Sequence, residues 1–120
     1  MKTNYYDFRA FSKYTEGHPE FYHQLIHSFL SCVQEDLQEL DQALGSRDWG
    51  VIKATAHKLK PVFETMGIYK FSPVLNLMND NSWYDSEPKE VLHITIKDFL
   101  FDCNRFLIAM QDDQDNDPFS

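Results

Sequence analysis

The sequence predicts an all-α protein, an antiparallel four-helix bundle with a short extra N-terminal helix. The 120 residues include only four glycines and five prolines, and no run alternates apolar and polar residues over a strand's length. Apolar residues instead recur at helical spacing in several long segments. Ten Phe, six Tyr and two Trp supply a core, and a chain of this length forms one domain that buries roughly two-thirds of its unfolded surface.

Turn signals divide the chain into five helical segments, of which the first two precede Gly45. The first is short and covers about residues 5–14, with Tyr6, Phe8 and Phe11 as its apolar face. Pro19 suits the first position of the second helix, which we expect to end at Gly45. Apolar residues recur along this second helix at Phe21, Leu25, Phe29, Val33, Leu37, Leu40 and Leu44.

The third helix is predicted to begin at a cap formed by Ser46 or Asp48 and to end at Gly67. At 100° per residue, one narrow band of its surface is apolar and must face the core. The band consists of Ile52, Ala56, Leu59, Phe63 and Met66. His57 lies almost opposite this band, so we expect its imidazole to face water.

The fourth and fifth helices follow shorter signals. Ser72 and Pro73 resemble a cap and a first-turn proline for a short helix that reaches about Asn79. The polar segment 79–87 is predicted as the longest loop, and residues 86–88 begin the last long helix. The predicted buried residues of the last helix are Val91, Leu92, Ile96, Phe99, Leu100, Cys103, Phe106, Leu107 and Met110.

The end of the chain is acidic, with a run of charged and amide residues at 112–117. Such a run is typical of a solvated, disordered tail. We therefore divide the chain into a helical bundle domain of residues 1–111 and a tail of residues 112–120.

Charge and cysteine content limit the function classes. The formal net charge of −8 argues against nucleic acid and anionic membranes as partners. No signal-peptide pattern opens the chain, and no apolar run approaches the ~20 residues of a membrane span. Cys32 and Cys103 lack CxxC spacing and are predicted to be reduced core residues. We expect a cytoplasmic monomer.

His57 is the main candidate for chemistry. A neutral imidazole is a good phosphoryl acceptor, and imidazoles are often neutral near pH 7. Lysines one turn to either side, Lys53 and Lys60, can hold phosphoryl oxygens, and the small Ala54 leaves room for a partner. By helical spacing, the neighbours of His57 on the outer face are Lys53, Ala54, Lys60, Pro61 and Glu64. A solvated helix face without function also contains such residues.

Pro61 is unusual inside a helix. A proline lacks the N–H that would bond the carbonyl four residues earlier, which here belongs to His57. The missing bond and the ring clash cost ~3 kcal/mol or more and kink a helix. The kink either serves the site or simply wraps the helix around the core.

The sequence AHKLK at residues 56–60, with Gly67 ten residues after His57, resembles the A-H-x-L-K-G…L-G signature of histidine-containing phosphotransfer (HPt) domains. GHPEF at residues 17–21 and Asp48-Trp49 before the third helix are similar to the family as well. The resemblance covers essentially the whole chain in length, helix order and loop positions. It implies a four-helix bundle with an exposed histidine on a central helix.

The resemblance also implies a role in phosphorelay signalling. His57 would take a phosphoryl group from one receiver-domain aspartate through its outward ring nitrogen and pass it to another receiver. Lys60 would neutralise phosphoryl charge, with possible support from Lys53, while Ala54, Pro61 and Glu64 would contact the partner. The partners would be response-regulator receiver domains or a hybrid histidine kinase, and the required Mg²⁺ would belong to the receiver. The chain has no phosphate-cradling glycine loop, so we expect a carrier and not a kinase.

Three residues depart from the family pattern and leave a second hypothesis open. Family members usually carry Gly at the position of Pro61 and small residues at those of Val62 and Phe63. These changes bear on transfer efficiency and partner choice. The alternative is a docking or inhibitory module that binds a receiver domain without accepting phosphate.

A metal-binding helical bundle enzyme is the third hypothesis. Glu20…His23 and Glu90…His93 are two Glu-x-x-His units of the kind that build di-iron sites in bundles. Each unit begins a helix, and antiparallel helices would hold the two units at opposite ends. His23 and His27 are spaced for half a metal site, but His27 is predicted to point outward.

Overall fold

The computed structural model describes residues 19–115 of the 120-residue chain. Within this range lie the helices α1 (Pro19–Ser46), α2 (Trp49–Thr65), α3 (Ser72–Met78), α4 (Asn81–Ser86) and α5 (Lys89–Asp115), with no strand between these residues. The all-α prediction is therefore confirmed. The short helix predicted at residues 5–14 lies outside the described residues.

The connection between α1 and α2 consists of two residues. α1 continues one residue beyond Gly45, where the sequence predicted its end, and the left-handed residue is Arg47, with φ of 57°. The hydroxyl of Ser46 lies within hydrogen-bond distance of helix carbonyls, including that of Ala43 at 3.3 Å. The N–H of Asp48 donates to the Ala43 carbonyl at 2.8 Å. These hydrogen bonds satisfy carbonyls at the C-terminal end of α1, and α1 therefore ends after Gly45 and not at it.

A chain of phenylalanine rings connects the long helices through the core. Phe29 of α1 meets Phe63 of α2, with ring centroids 5.7 Å apart. Phe71 lies 5.6 Å from Phe63 and also contacts Phe99 and Phe106 of α5 at 5.6 and 5.5 Å, both edge-on. Edge-to-face geometry is favourable for aromatic pairs. Phe71, in the turn before α3, therefore joins α2 to α5.

The helices form a ring of contacts. α1 packs against α2 and α5, and α3 packs against the same two helices. α2 and α5 therefore occupy opposite corners of the bundle, and the short α3 fills the corner opposite α1. The outer faces of α2 and α5 point away from each other, which separates two surfaces of the molecule.

The segment predicted as the longest loop, residues 79–87, contains α4, so that prediction was wrong. Asp80 caps α4, its carboxylate accepting from the N–H of Ser82 at 3.0 Å. Trp83 and Tyr84 are both buried, and the Tyr84 hydroxyl donates to the Met78 carbonyl at 2.7 Å. Two buried aromatic side chains hold this polar segment in a helical turn.

The last helix is longer than the sequence predicted. α5 extends to Asp115, so residues 112–115 are helical and not a disordered tail. A helix gains one backbone hydrogen bond for each residue added to an existing end, and buried Met110 anchors the preceding turn. Residues 116–120 lie outside the described residues.

Three side chains predicted in the core are exposed: Phe21, Val91 and Cys32. Cys103 is buried as predicted, and burial raises the pKa of its thiol above the usual range. Both thiols are free. Cys32 precedes the buried Val33 by one residue and so lies about 100° from the apolar stripe of α1. Among residues 19–115, no helix is long and apolar enough to span a membrane.

Candidate functional site

The site lies on α2, whose start is set by a side-chain cap. The Asp48 carboxylate accepts the N–H of Val51 at 3.2 Å, as the sequence allowed. The predicted core band is buried along its whole length: Ile52, Ala56, Leu59, Phe63 and Met66. His57 is exposed on the opposite side. Periodicity alone was therefore sufficient to orient the imidazole.

His57 lies in a shallow groove of about 350 Å³. The lining side chains from α2 are His57, Lys60, Pro61 and Glu64, and Asn79 closes the groove from the turn after α3. The four α2 residues follow the i, i+3, i+4, i+7 spacing of a single helix face. The groove therefore brings together the proposed phosphoacceptor, a lysine and two of the predicted partner-contact residues.

Asn79 is a groove residue that the sequence did not indicate. Its amide nitrogen lies 2.8 Å from the Leu75 carbonyl and 3.3 Å from the Ala56 carbonyl. The contact with Ala56 ties the C-terminal end of α3 to the backbone next to His57. In the sequence, Asn79 was only the predicted end of a short helix, because no local pattern specifies a contact 23 residues away.

Pro61 does not end α2, which continues through it to Thr65. The carbonyl of His57 nevertheless lacks the N–H that residue 61 would donate in a regular helix. The Thr65 hydroxyl donates to the Pro61 carbonyl at 2.9 Å. The pyrrolidine ring is exposed and forms part of the groove wall, so the departure at this position changes the surface next to His57.

The other departures from the family pattern lie under that surface. Phe63 is fully buried and Val62 is half-buried. Of the predicted partner-contact residues, Ala54 and Pro61 are exposed and Glu64 is half-buried. The bulky Phe63 therefore fills the core and does not obstruct access to His57.

The three lysines of α2 have different surroundings. The Lys53 ammonium lies 4.8 Å from the centroid of the Tyr84 ring, a cation–π contact. Lys58 is 3.1 Å from an Asp36 oxygen of α1, and its hydrogen bond and charge attraction to Asp36 raise the pKa of Lys58. Lys60 alone of the three lines the groove with His57.

The residues of the metal hypothesis are dispersed. Within residues 19–115, no three His, Cys, Asp or Glu side chains are grouped so as to hold a metal ion. His23 is buried, whereas His27 is exposed as predicted. The Lys89 ammonium lies 5.2 Å from the Trp49 ring, so α5 begins beside the start of α2. The start of α1 lies at the other end of a 28-residue helix, roughly 40 Å away at 1.5 Å per residue.

Comparison with protein families gives one match. The family model of the Hpt domain matches residues 24–88, which is 65 of the 120 residues and includes the whole of α2. The chain belongs to the Hpt domain family. No curated protein and no solved structure matches it.

Hpt domains are phosphotransfer carriers that act in phosphorelays together with receiver domains and histidine kinases, and they are not kinases themselves. The chain therefore has a role in histidine phosphotransfer within two-component signalling. The groove on α2 lies within the matched segment. Its lining residues, which all fall between residues 24 and 88, are His57, Lys60, Pro61, Glu64 and Asn79.

Proposed function

We propose that His57 accepts a phosphoryl group from a receiver-domain aspartate and passes it to a second receiver domain. The observation that supports this most is the groove that His57 shares with Lys60 on the exposed side of α2. A rigid helix fixes the position of the imidazole, and phosphoryl transfer depends mainly on positioning and charge stabilisation.

The chemistry needs a nucleophile and a nearby cation. A ring nitrogen of neutral His57 attacks the phosphorus of the aspartyl phosphate, an N–P bond forms, and the P–O bond to the carboxylate breaks. The aspartate leaves as a carboxylate, and the other ring nitrogen retains its proton until solvent removes it. Lys60 stabilises the negative charge on the transferred oxygens, and the reverse sequence delivers the phosphoryl group to the next aspartate.

His57 is favoured over the other histidine of the matched segment, His27. Both side chains are exposed, but His27 has no lysine or arginine within four residues on α1, whereas His57 has Lys60 beside it in the groove. A phosphohistidine at position 27 would lack this compensating charge. The two residues also supply a matched pair for mutation.

The partner would approach over Ala54 and Pro61, whose compact side chains leave the imidazole accessible. Glu64 and Asn79 would form the edge of the contact. In this proposal the receiver contributes the Mg²⁺ and the aspartate, and Lys53 contributes general positive charge from its place on the Tyr84 ring. We also propose a cytoplasmic location, consistent with the two free thiols.

The test is to incubate the protein with a phosphorylated receiver domain and Mg²⁺ and to follow the label. We expect acid-labile, base-stable label on the wild type and on His27→Gln, and none on His57→Gln. Label that persists in His57→Gln would show that the phosphoryl group resides elsewhere.

The same experiment separates the docking or inhibitory alternative. A receiver-binding module without transfer would form a complex with the receiver but take up no label, and His57→Gln would leave the affinity unchanged. Binding measured by calorimetry beside the labelling assay distinguishes the two functions, because only the carrier needs the imidazole.

A further inference from the structure

The outer face of α5 carries three apolar side chains that are largely exposed. Ile94, Phe101 and Ile108 have exposed fractions of 60%, 63% and 63%, the highest among the large apolar residues for which exposure is described. They are seven residues apart, so they lie on one nearly straight line along the helix. The alignment of all three in one stripe marks an interaction surface, since exposed apolar residues without a role would be scattered.

We propose that this stripe binds the same stripe of a second copy of this chain, in an antiparallel arrangement with Phe101 at the two-fold axis. Apolar residues that recur every seven residues on an exposed helix surface form part of the seam through which helices pair. The sequence of the stripe is symmetric about its centre, with Ile94 and Ile108 each seven residues from Phe101. A two-fold axis there brings Ile94 against Ile108 of the partner subunit, twice.

The charges beside the stripe fit this arrangement. Arg105 lies on the same edge of the stripe as Asp98, and its guanidinium lies 5.7 Å from the centroid of the Phe101 ring. By helix geometry, the two-fold axis brings Arg105 close to Asp98 of the partner subunit, which gives two opposite-charge pairs by symmetry. Electrostatic complementarity of this kind fixes register and orientation.

The acidic end of α5 selects the antiparallel orientation over the parallel one. Asp112 and Asp113 both lie in its last turns. Parallel pairing would place these acidic turns of both subunits side by side, where like charges repel. Antiparallel pairing places them at opposite ends, each beside the first turn of the partner helix, where Glu90 is preceded by Lys89. Repulsion is smaller there than between two acidic ends, and this pairing also opposes the helix dipoles.

The size of the contact predicts a reversible dimer. From Ile94 to Ile108 the helix rises roughly 21 Å, which is short for a protein–protein interface and places the contact at the low end of interface sizes. The sequence predicted a monomer. In this proposal the chain is monomeric at low concentration and dimeric at high concentration. Because α2 and α5 occupy opposite corners of the bundle, each His57 faces away from the interface and stays accessible.

Sedimentation velocity of the full chain tests this, at concentrations from about 1 to about 200 µM, the range in which small interfaces associate. About 0.15 M salt screens the net charge of the two subunits. We expect the average mass to rise with concentration from 14.2 kDa towards twice that value. Phe101→Glu should remain at 14.2 kDa throughout, while Tyr69→Glu, an exposed aromatic residue outside α5, should associate as the wild type does.

A charge reversal tests the orientation and keeps all three apolar residues of the stripe. Asp98→Arg places like charges opposite each other and should weaken association, and the double variant Asp98→Arg with Arg105→Asp should restore it. A wild type that stays monomeric over the whole range would overturn the proposal, as would a dimer that persists in Phe101→Glu. If the wild type stays monomeric and Phe101→Glu instead abolishes receiver binding, the face docks a receiver domain. These outcomes do not depend on phosphorylation of His57, so they are separable from the proposed function.

Discussion

α2 and α5 are both long amphipathic helices with one side in the same core, but their outer faces differ in composition. The outer face of α2 presents a histidine, a lysine and a compact proline around a groove. The outer face of α5 presents Ile94 and Phe101 in an exposed stripe with charged residues beside it. The first is suited to a transient encounter around a reactive side chain, and the second to contact between apolar surfaces.

The difference shows how two tasks can be separated on one small bundle. A carrier must release each partner after transfer, and an extended apolar surface next to the histidine would slow that release, because apolar burial drives association. Here the exposed apolar residues of the stripe lie on α5, at the corner opposite α2. In the proposed dimer, partners can therefore exchange at α2 while α5 contacts the second subunit.

The largest expected effect is a loss of stability when a phenylalanine of the core is truncated, compared with a phenylalanine of the exposed stripe. Phe63 is fully buried and contacts Phe29 and Phe71, so Phe63→Ala should lower the free energy of unfolding by about 3–5 kcal/mol. Phe101→Ala should change it by less than about 0.5 kcal/mol in dilute solution, where no partner covers the ring. Urea unfolding measures the free energy of unfolding of both variants. The protein concentration is kept below about 1 µM so that the sample is monomeric. Equal losses would contradict the assignment of one ring to the core and the other to a surface.

A second prediction separates the two lysines that follow His57 in sequence, Lys58 and Lys60. Lys60→Ala should slow phosphoryl transfer about tenfold, since it removes the cation that shares the groove with His57, and one order of magnitude corresponds to about 1.4 kcal/mol of barrier. Lys58→Ala should leave the transfer rate nearly unchanged, because Lys58 points to Asp36 of α1. Single-turnover transfer from a phosphorylated receiver gives both rates. A larger effect of Lys58→Ala would show that the groove geometry does not identify the important cation.

A third, smaller effect concerns α4, which supports the α2 face through Tyr84 and Lys53. Tyr84→Phe removes the hydrogen bond to the Met78 carbonyl and should cost about 1 kcal/mol of stability. Burial raises the pKa of Tyr84 from 10.0 to about 12. The folded state thus binds the phenolic proton of Tyr84 more tightly than the unfolded state does. The contribution of protonated Tyr84 to stability is therefore complete below about pH 10 and is lost as the pH rises from about 10 to about 12.

Denaturant titrations at pH 8, 10 and 11.5, values chosen around the usual tyrosine pKa of about 10, check this pH dependence. The decline in stability should be smaller in Tyr84→Phe than in the wild type. Tyr69→Phe, at an exposed position, serves as the control and should decline as the wild type does. Identical declines in all three proteins would mean that Tyr84 is not the group responsible.

Features that depend on helical periodicity were predictable from the sequence. The apolar band of α2 and the outward direction of His57 follow from a 3.6-residue repeat, and both are present. The start of α2 at the Asp48 cap was also predictable, because capping involves residues three positions apart. The helix within segment 79–87 was not predictable. The segment is mostly polar, and its two aromatic residues become buried only because they pack against α2 and α3.

The sequence by itself determined that the chain is helical, which side of α2 is buried and which histidine stands beside lysines on the outer side. Only the tertiary structure decided which lysine shares the groove with His57, that Asn79 closes it, and that Phe101 lies on the face opposite the site. The physical reason is the range of the interactions. Periodicity and caps act over a few residues of one helix, whereas the groove and the stripe depend on how distant segments pack against one another.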